Sequence, residues 1–323
     1  MSLSNVVAVI LAAGKSVRMQ TERPKVLHEV CGRPMLAYVI DACRRAGIER
    51  CIVVVGFGKE AVKEAFADDP NITWVEQTAQ KGTGHAVMCC REQLADGPEH
   101  AVVLCGDGPL IRAKTIGEML ERHETGSCSA TLATAILEDP SGYGRIVRDE
   151  MSNLIGIVEH VDCNRRQRSI EEINPSYYCF RVRELLSALT ELRPNNIKGE
   201  FYLTDVVGIL IERGLKVEAL TAVPPEDIFS INSREELARV NRVMRERVNE
   251  RLMAAGVTIV DPQSTWIDIR AEIGADTVIH PFVYISGPAK IGRACQVGPF
   301  ARVTSGQEFG DNAVIGPNHG GAA

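Results

Sequence analysis

Three cations, Lys15, Arg18 and Lys25, follow within a dozen residues of Leu11-Ala12-Ala13-Gly14. The last three residues of that tetrapeptide are too small to hold a ligand off the backbone. Peptide N–H groups at a strand-to-loop junction of this kind can point at phosphate oxygens. Small residues and clustered cations together describe a site for a polyanion. Gly14-Lys15-Ser16 looks like the end of a P-loop, but that motif needs a glycine where Val9 stands. The dinucleotide fingerprint needs three spaced glycines and finds only Gly14. A buried first strand with a basic, solvated loop is the plainer alternative, and these residues alone leave both open.

Further polar residues sit where apolar runs end. Asp107 follows Ala101-Val102-Val103-Leu104-Cys105-Gly106 and precedes Gly108-Pro109. One carboxylate suits Mg²⁺, which takes hard oxygens and keeps phosphate oxygens and waters in its shell; an Asx-turn is the bland reading. Gln77 precedes Gly82-Thr83-Gly84-His85-Ala86. Glycines there allow close approach, and an amide can both donate to and accept from a pyrimidine edge. Taken alone, that segment is a turn before a helix. Glu159 ends Ile155-Gly156-Ile157-Val158 and suits bidentate bonding to sugar hydroxyls. Asn174 offers an amide in a similar place, although a lone Glu or Asn is more often a solvated surface residue. Asn232 equally suits a polar turn before a helix, and Arg165-Arg166-Gln167-Arg168 reads as a solvated loop.

The elements that must position these residues are legible in the apolar pattern. Val6–Leu11 and Cys51–Val55 read as strands buried on both faces, of the parallel kind. Between them Pro34 opens a helix with Leu36, Val39, Ile40 and Cys43 on one stripe. Strand and helix alternate as in a doubly wound α/β sheet, whose ligands bind at the carboxyl ends of the strands. A capping box at Ser233–Glu236 starts a long amphipathic helix over 234–255, expected to brace two domains. Beyond Gly256 the period changes. Ile267, Ile273, Ile279, Ile285, Ile291, Val297, Val303, Phe309 and Ile315 recur every six residues, the mark of a parallel β-helix.

Composition narrows the class. A chain of 323 residues with 45% hydrophobic and 24% charged residues accommodates about two domains. A net charge of −6 gives no global attraction to nucleic acid or anionic membrane, so an anion site has to be built locally. Neither a membrane span nor a signal peptide is visible. Ten cysteines without a CxxC pair read as reduced thiols, and the expected location is cytoplasmic.

Leu11-Ala12-Ala13-Gly14, Arg18-Met19 and Pro24-Lys25 resemble the signature of sugar-1-phosphate nucleotidyltransferases. Pro24-Lys25-Val26-Leu27-His28 resembles the bacterial N-acetylglucosamine-1-phosphate uridylyltransferases in particular. The resemblance implies a Rossmann-like nucleotidyltransferase domain over 1–232, a linking helix over 233–256 and a short left-handed hexapeptide-repeat β-helix over 257–323. It implies Mg²⁺-dependent transfer of UMP from UTP to N-acetylglucosamine 1-phosphate, giving UDP-N-acetylglucosamine and pyrophosphate. The implied catalytic residues are Arg18 and Lys25. The nucleotide set is Leu11, Ala12, Ala13, Gly14, Lys25, Gln77, Gly82, Thr83 and Asp107. Gly144, Glu159, Asn174, Tyr202 and Thr204 would face the sugar phosphate, with Asp107 and Asn232 on the metal.

The chain departs from the family pattern at Cys105, where Tyr is usual, at Gly108, where a larger apolar residue is usual, and at Pro175-Ser176-Tyr177 after Asn174. Gly298-Pro299-Phe300-Ala301-Arg302 resembles an early piece of the family's acetyltransferase half, whose later motifs are missing, so acetyl transfer is not expected. A homotrimer through the β-helix is. The alternatives are the same transfer to another sugar phosphate, such as glucose 1-phosphate, and a silent regulatory or scaffold protein.

Overall fold

A computed structural model describes residues 3–15, 17–95 and 97–317. Ser16, of the P-loop-like tripeptide, and the last six residues lie outside the described set. The chain divides into two compact units, one of residues 1–27 and 35–233, the other of 28–34 and 234–323.

The first unit is built on one sheet. Its strands are β1 (Val6–Ala12), β2 (Cys51–Val55), β3 (Ile72–Glu76), β4 (His100–Cys105), β5 (Ala130–Ile136), β6 (Gly144–Arg148), β7 (Leu154–Val158), β8 (Glu172–Arg181) and β9 (Val217–Thr221). Their order is β9-β5-β8-β4-β1-β2-β3, with β6 paired to β8 and β7 to β6. β1 lies parallel between β2 and β4, and its residues Val6 to Ile10 are at most 2% exposed. Helices cover both faces, which is why these strands are apolar without alternation.

The sheet is not parallel throughout. β8 runs antiparallel to β4, β5 and β6. Its beginning, not its end, therefore comes to the rim where β4 finishes. Asn174 reaches that rim from near a strand start, a position the rule of ligands after strand ends does not anticipate. The basic run Arg165–Arg168, expected as a loop, is a short helix. Asn164 accepts from the Gln167 N–H and the Gln167 side chain accepts from the Asn164 N–H, a reciprocal cap that the Asn-x-x-Gln spacing encodes.

In the second unit the hexapeptide residues point inward. Two-residue strands stack into three parallel sheets, so Ile267 pairs with Ile285 and Ile285 with Val303, three hexapeptides further on. Ile279, Val297, Val303 and Ile315 are fully buried, while Ile273 and Phe309 are only partly so. The helix Arg234–Ala254 belongs to this unit and buries Val240, Met244, Val248 and Leu252, with Leu237 half-buried. So does the hairpin Glu29–Pro34, whose Cys31 N–H donates to Asn241 Oδ1 of that helix at 2.9 Å. Its turn needs positive φ at Cys31 and Gly32, and a Cβ on Gly32 would run into the Asp268 carboxylate.

Candidate active site

The first strand ends in a tightly folded loop. Leu11 and Ala12 are still ladder residues of β1, Ala13 is buried behind them, and the exposed part of the turn begins at Gly14. Three neighbours hold that turn. Gly106 N–H donates to Leu11 O at 2.9 Å, Phe57 N–H to Ala13 O at 3.3 Å, and the Gln80 side-chain amide to Ala13 O at 2.6 Å. A Cβ on Gly56 would sit 2.8 Å from Ala13 O, so only glycine lets the next loop approach. A Cβ on Gly14 would meet no described residue within 4 Å, which leaves room for a ligand on that side of the loop. Gln80 and Gly56 carry no local signal of this role, because their contact with Ala13 is made across the sheet.

Three distant segments converge beyond the loop. Lys25 Nζ donates to Asp107 Oδ2 and, at 2.9 Å, to Asn232 Oδ1. Lys25 comes from the turn Lys25–Leu27 after β1, and Asp107 from the loop after β4. Asn232 is carried by a stretch whose Ile231 N–H bonds Asp107 O at 3.0 Å. Asn232 Nδ2 is directed to Ser230 Oγ at 3.2 Å, which turns its oxygen toward Lys25. Arg18 stands apart from this group. It is exposed on a 3₁₀ turn and makes no hydrogen bond or ion pair with a described residue.

Gln77, Gly82 and Thr83 form a second group. Gln77 is buried at the end of β3, with its amide against Gly82 O and His85 Nδ1. Thr83 Oγ1 accepts from the Leu203 N–H at 3.1 Å, which ties this loop to the segment carrying Tyr202 and Thr204.

The third group is set by strand register. Gly144 opens β6 opposite Asn174 of β8, and Arg145 pairs with Val158, so Glu159 lies beside Gly144. A Cβ on Gly144 would come 3.6 Å from Glu159 Oε2. Thr204 Oγ1 donates to Glu159 Oε1 at 3.2 Å. Burial pushes the Glu159 carboxyl pKa up, with the Thr204 hydroxyl opposing. Asn174 is locked from two sides. The Ser176 N–H donates to its Oδ1 at 3.1 Å, and its Nδ2 donates to Tyr178 Oη at 2.6 Å. Ser176 adopts φ +68° and the β8/β5 register slips between Ile173 and Tyr177, a bulge of the kind that re-aims side chains. Tyr202 is 6% exposed and its buried hydroxyl has no partner among the described residues. Burial raises that phenol to about 12, so it stays protonated and able to donate.

The departures from the family pattern meet in space. Tyr177 Oη lies 3.5 Å from where a Gly108 Cβ would be and donates to Asp227 O at 3.3 Å. Burial, with Asp107 nearby, pushes the Cys105 thiol to about 12, so it is a thiol and not a thiolate. The missing side chain at 108 and the added ring at 177, far apart in the sequence, adjoin in the fold. Among the described residues no group of three or more His, Cys, Asp or Glu side chains converges on a point.

Fold and site define a nucleotidyltransferase joined to hexapeptide repeats. Residues 8–200 match the MobA-like NTP transferase domain, and 270–305 match the bacterial transferase hexapeptide (six repeats). The chain is 43% identical over 308 residues to the bifunctional protein GlmU of Heliobacterium modesticaldum, covering 95% of this chain and 67% of that protein. It is 45% identical over 296 residues to the GlmU of Clostridium botulinum strain Loch Maree, covering 92% and 64%. A solved UDP-glucose pyrophosphorylase in complex with UDP-glucose shares the fold, with TM-score 0.62 and 18% identity, over 75% of this chain and 98% of its own. The chain belongs to the GlmU family. It spans about two thirds of the length of the GlmU proteins it matches.

Proposed function

We propose that the chain transfers UMP from UTP to N-acetylglucosamine 1-phosphate and releases pyrophosphate. The observation that carries this reading is the meeting of Lys25, Asp107 and Asn232, drawn from three separate segments, beside an open small-residue loop. A phosphate oxygen of the sugar phosphate, largely dianionic near neutral pH, attacks the α-phosphorus in line. A new P–O bond forms there, and the bond to the β-phosphate oxygen breaks with its electron pair leaving on pyrophosphate. No general base is needed.

What the reaction needs from the chain is positive charge and position. Lys25 and Arg18, with the N–H groups of the Ala13–Lys15 turn, stabilise the departing pyrophosphate. Gln77, Gly82 and Thr83 hold the base. Glu159 and Asn174 hold sugar hydroxyl and amide groups, and Tyr202 and Thr204 donate to the sugar phosphate. Asp107 and Asn232 fit a divalent cation: their oxygens already share one cationic group, the Lys25 ammonium, and both are the hard donors that Mg²⁺ prefers. When bound, Mg²⁺ lowers the repulsion between the two phosphorylated substrates. The hexapeptide repeats support association of copies into a trimer. A silent scaffold would have no chemical use for the Lys25–Asp107–Asn232 meeting.

Steady-state pyrophosphate release from UTP with N-acetylglucosamine 1-phosphate and, separately, glucose 1-phosphate tests the substrate. The expected kcat/KM is higher for the acetamido sugar. The reverse order transfers the assignment to the other sugar.

A further inference from the structure

Gln77 presents one particular end of its amide to the ligand, and its neighbours decide which. Its Nε2 lies 3.1 Å from Gly82 O and 3.0 Å from His85 Nδ1. A carbonyl oxygen only accepts, so the end facing Gly82 has to be the NH₂. Both amide hydrogens are then used, and the imidazole nitrogen facing the second one must be an acceptor. His85 is thereby fixed as the neutral tautomer with its proton on Nε2. Burial lowers the His85 pKa and Lys81 lowers it further, which keeps that form populated. No described residue hydrogen-bonds to Gln77 Oε1, so the free end is a lone acceptor.

Gly82 is itself held in place. Its φ is +104°, and a Cβ there would lie 2.6 Å from Phe201 O. Phe201 N–H donates to Lys81 O and Gly84 N–H to Phe201 O, both at 2.8 Å.

We infer that His85 is a specificity-setting residue: by accepting from Gln77 Nε2 it holds the amide so that only an acceptor meets the nucleobase. The inference rests on the reading of this group as the base site. An acceptor complements the imide N3–H of uracil. At cytosine the same position carries a lone pair, so two acceptors face each other and one stays unpaired, which is how a polar site rejects the wrong partner. His85 acts through Gln77 and is a positioning residue.

Calorimetric Kd values for UTP and CTP on the whole chain, in magnesium buffer, test this with His85→Leu and His85→Asn. Asparagine places Oδ1 where imidazole places Nδ1 and restores the acceptor, whereas leucine cannot. The wild type should prefer UTP. The leucine variant should lose about fivefold of that UTP:CTP ratio, the worth of one hydrogen bond, and the asparagine variant should keep it. A leucine variant with the wild-type ratio, or an asparagine variant that loses as much as leucine, overturns the inference and leaves the uridine reading standing. A wild type that binds neither nucleotide, or both equally, overturns the uridine reading and the inference with it.

Discussion

Lys25 and a divalent ion would compete for the same two oxygens, Asp107 Oδ2 and Asn232 Oδ1. Each side chain therefore has a separable task, one on phosphate and one on metal. Lys25→Ala and Asp107→Ala should each lower kcat about 100- to 1,000-fold, the scale of removing one transition-state donor, while thermal unfolding stays cooperative. Near-normal turnover in either would contradict the assignment. On the sugar side, Tyr178→Phe removes the acceptor that orients Asn174 Nδ2. It should raise KM for the sugar phosphate several-fold and leave KM for UTP unchanged, read by varying one substrate at a time. Burial raises the Glu159 pKa, so that carboxylate is lost earlier on acidification than an exposed one. KM for the sugar phosphate should accordingly rise as pH falls, and Glu159→Gln should flatten that rise. Lys25 and Asp107 were legible as candidates in the sequence because each lies in a short motif, whereas Glu159, Asn174 and Asn232 are lone polar residues that only the resemblance marked. The partners Gln80 on Ala13 and Tyr178 on Asn174 were not legible, because those bonds depend on how strands pair.

At the scale of elements, direction and register decide what reaches the rim. The strands themselves announce their burial through unbroken apolar runs. The antiparallel course of β8 does not show in such a run, and it is what brings Asn174 opposite Gly144. The hexapeptide period was fully legible because each repeat places one apolar residue, aliphatic in all but Phe309, toward the interior. Ile279 is fully buried in that interior, so Ile279→Ala should cost about 2–5 kcal/mol by urea unfolding followed on the β-helix. Away from the site, the buried His123 offers a pH test. His123 is 1% exposed, bonded to His100 and to Thr131 Oγ1. Burial, then His100 and Arg181, lowers its pKa from 6.5 to about 4. The unfolded chain binds the proton more readily between those values, so this contribution to stability is present above pH 6.5 and is lost as pH falls toward 4. Denaturant melts across that window should show the decline, and His123→Asn should make it shallower.

At the scale of the whole molecule, the chain is two compact units with different logics, a sheet with loops gathered at its rim and a coil that repeats. The sequence separates them by period alone, but the return of residues 28–34 to the second unit is invisible to any local pattern. No helix among the described residues is long and apolar enough to cross a membrane. The hexapeptide repeats should give a mass of three chains by light scattering at micromolar concentration, and a single-chain mass would exclude the trimer. In the proposed reaction two phosphorylated substrates are joined at the Lys25–Asp107–Asn232 cluster with the help of a divalent ion. Phosphorus NMR of UTP, N-acetylglucosamine 1-phosphate and magnesium with the chain reads this directly. Resonances of a sugar nucleotide and of pyrophosphate should grow together and stop on chelation. Unchanged substrates, nucleotide hydrolysis without sugar transfer, or the same growth with Asp107→Ala would contradict it.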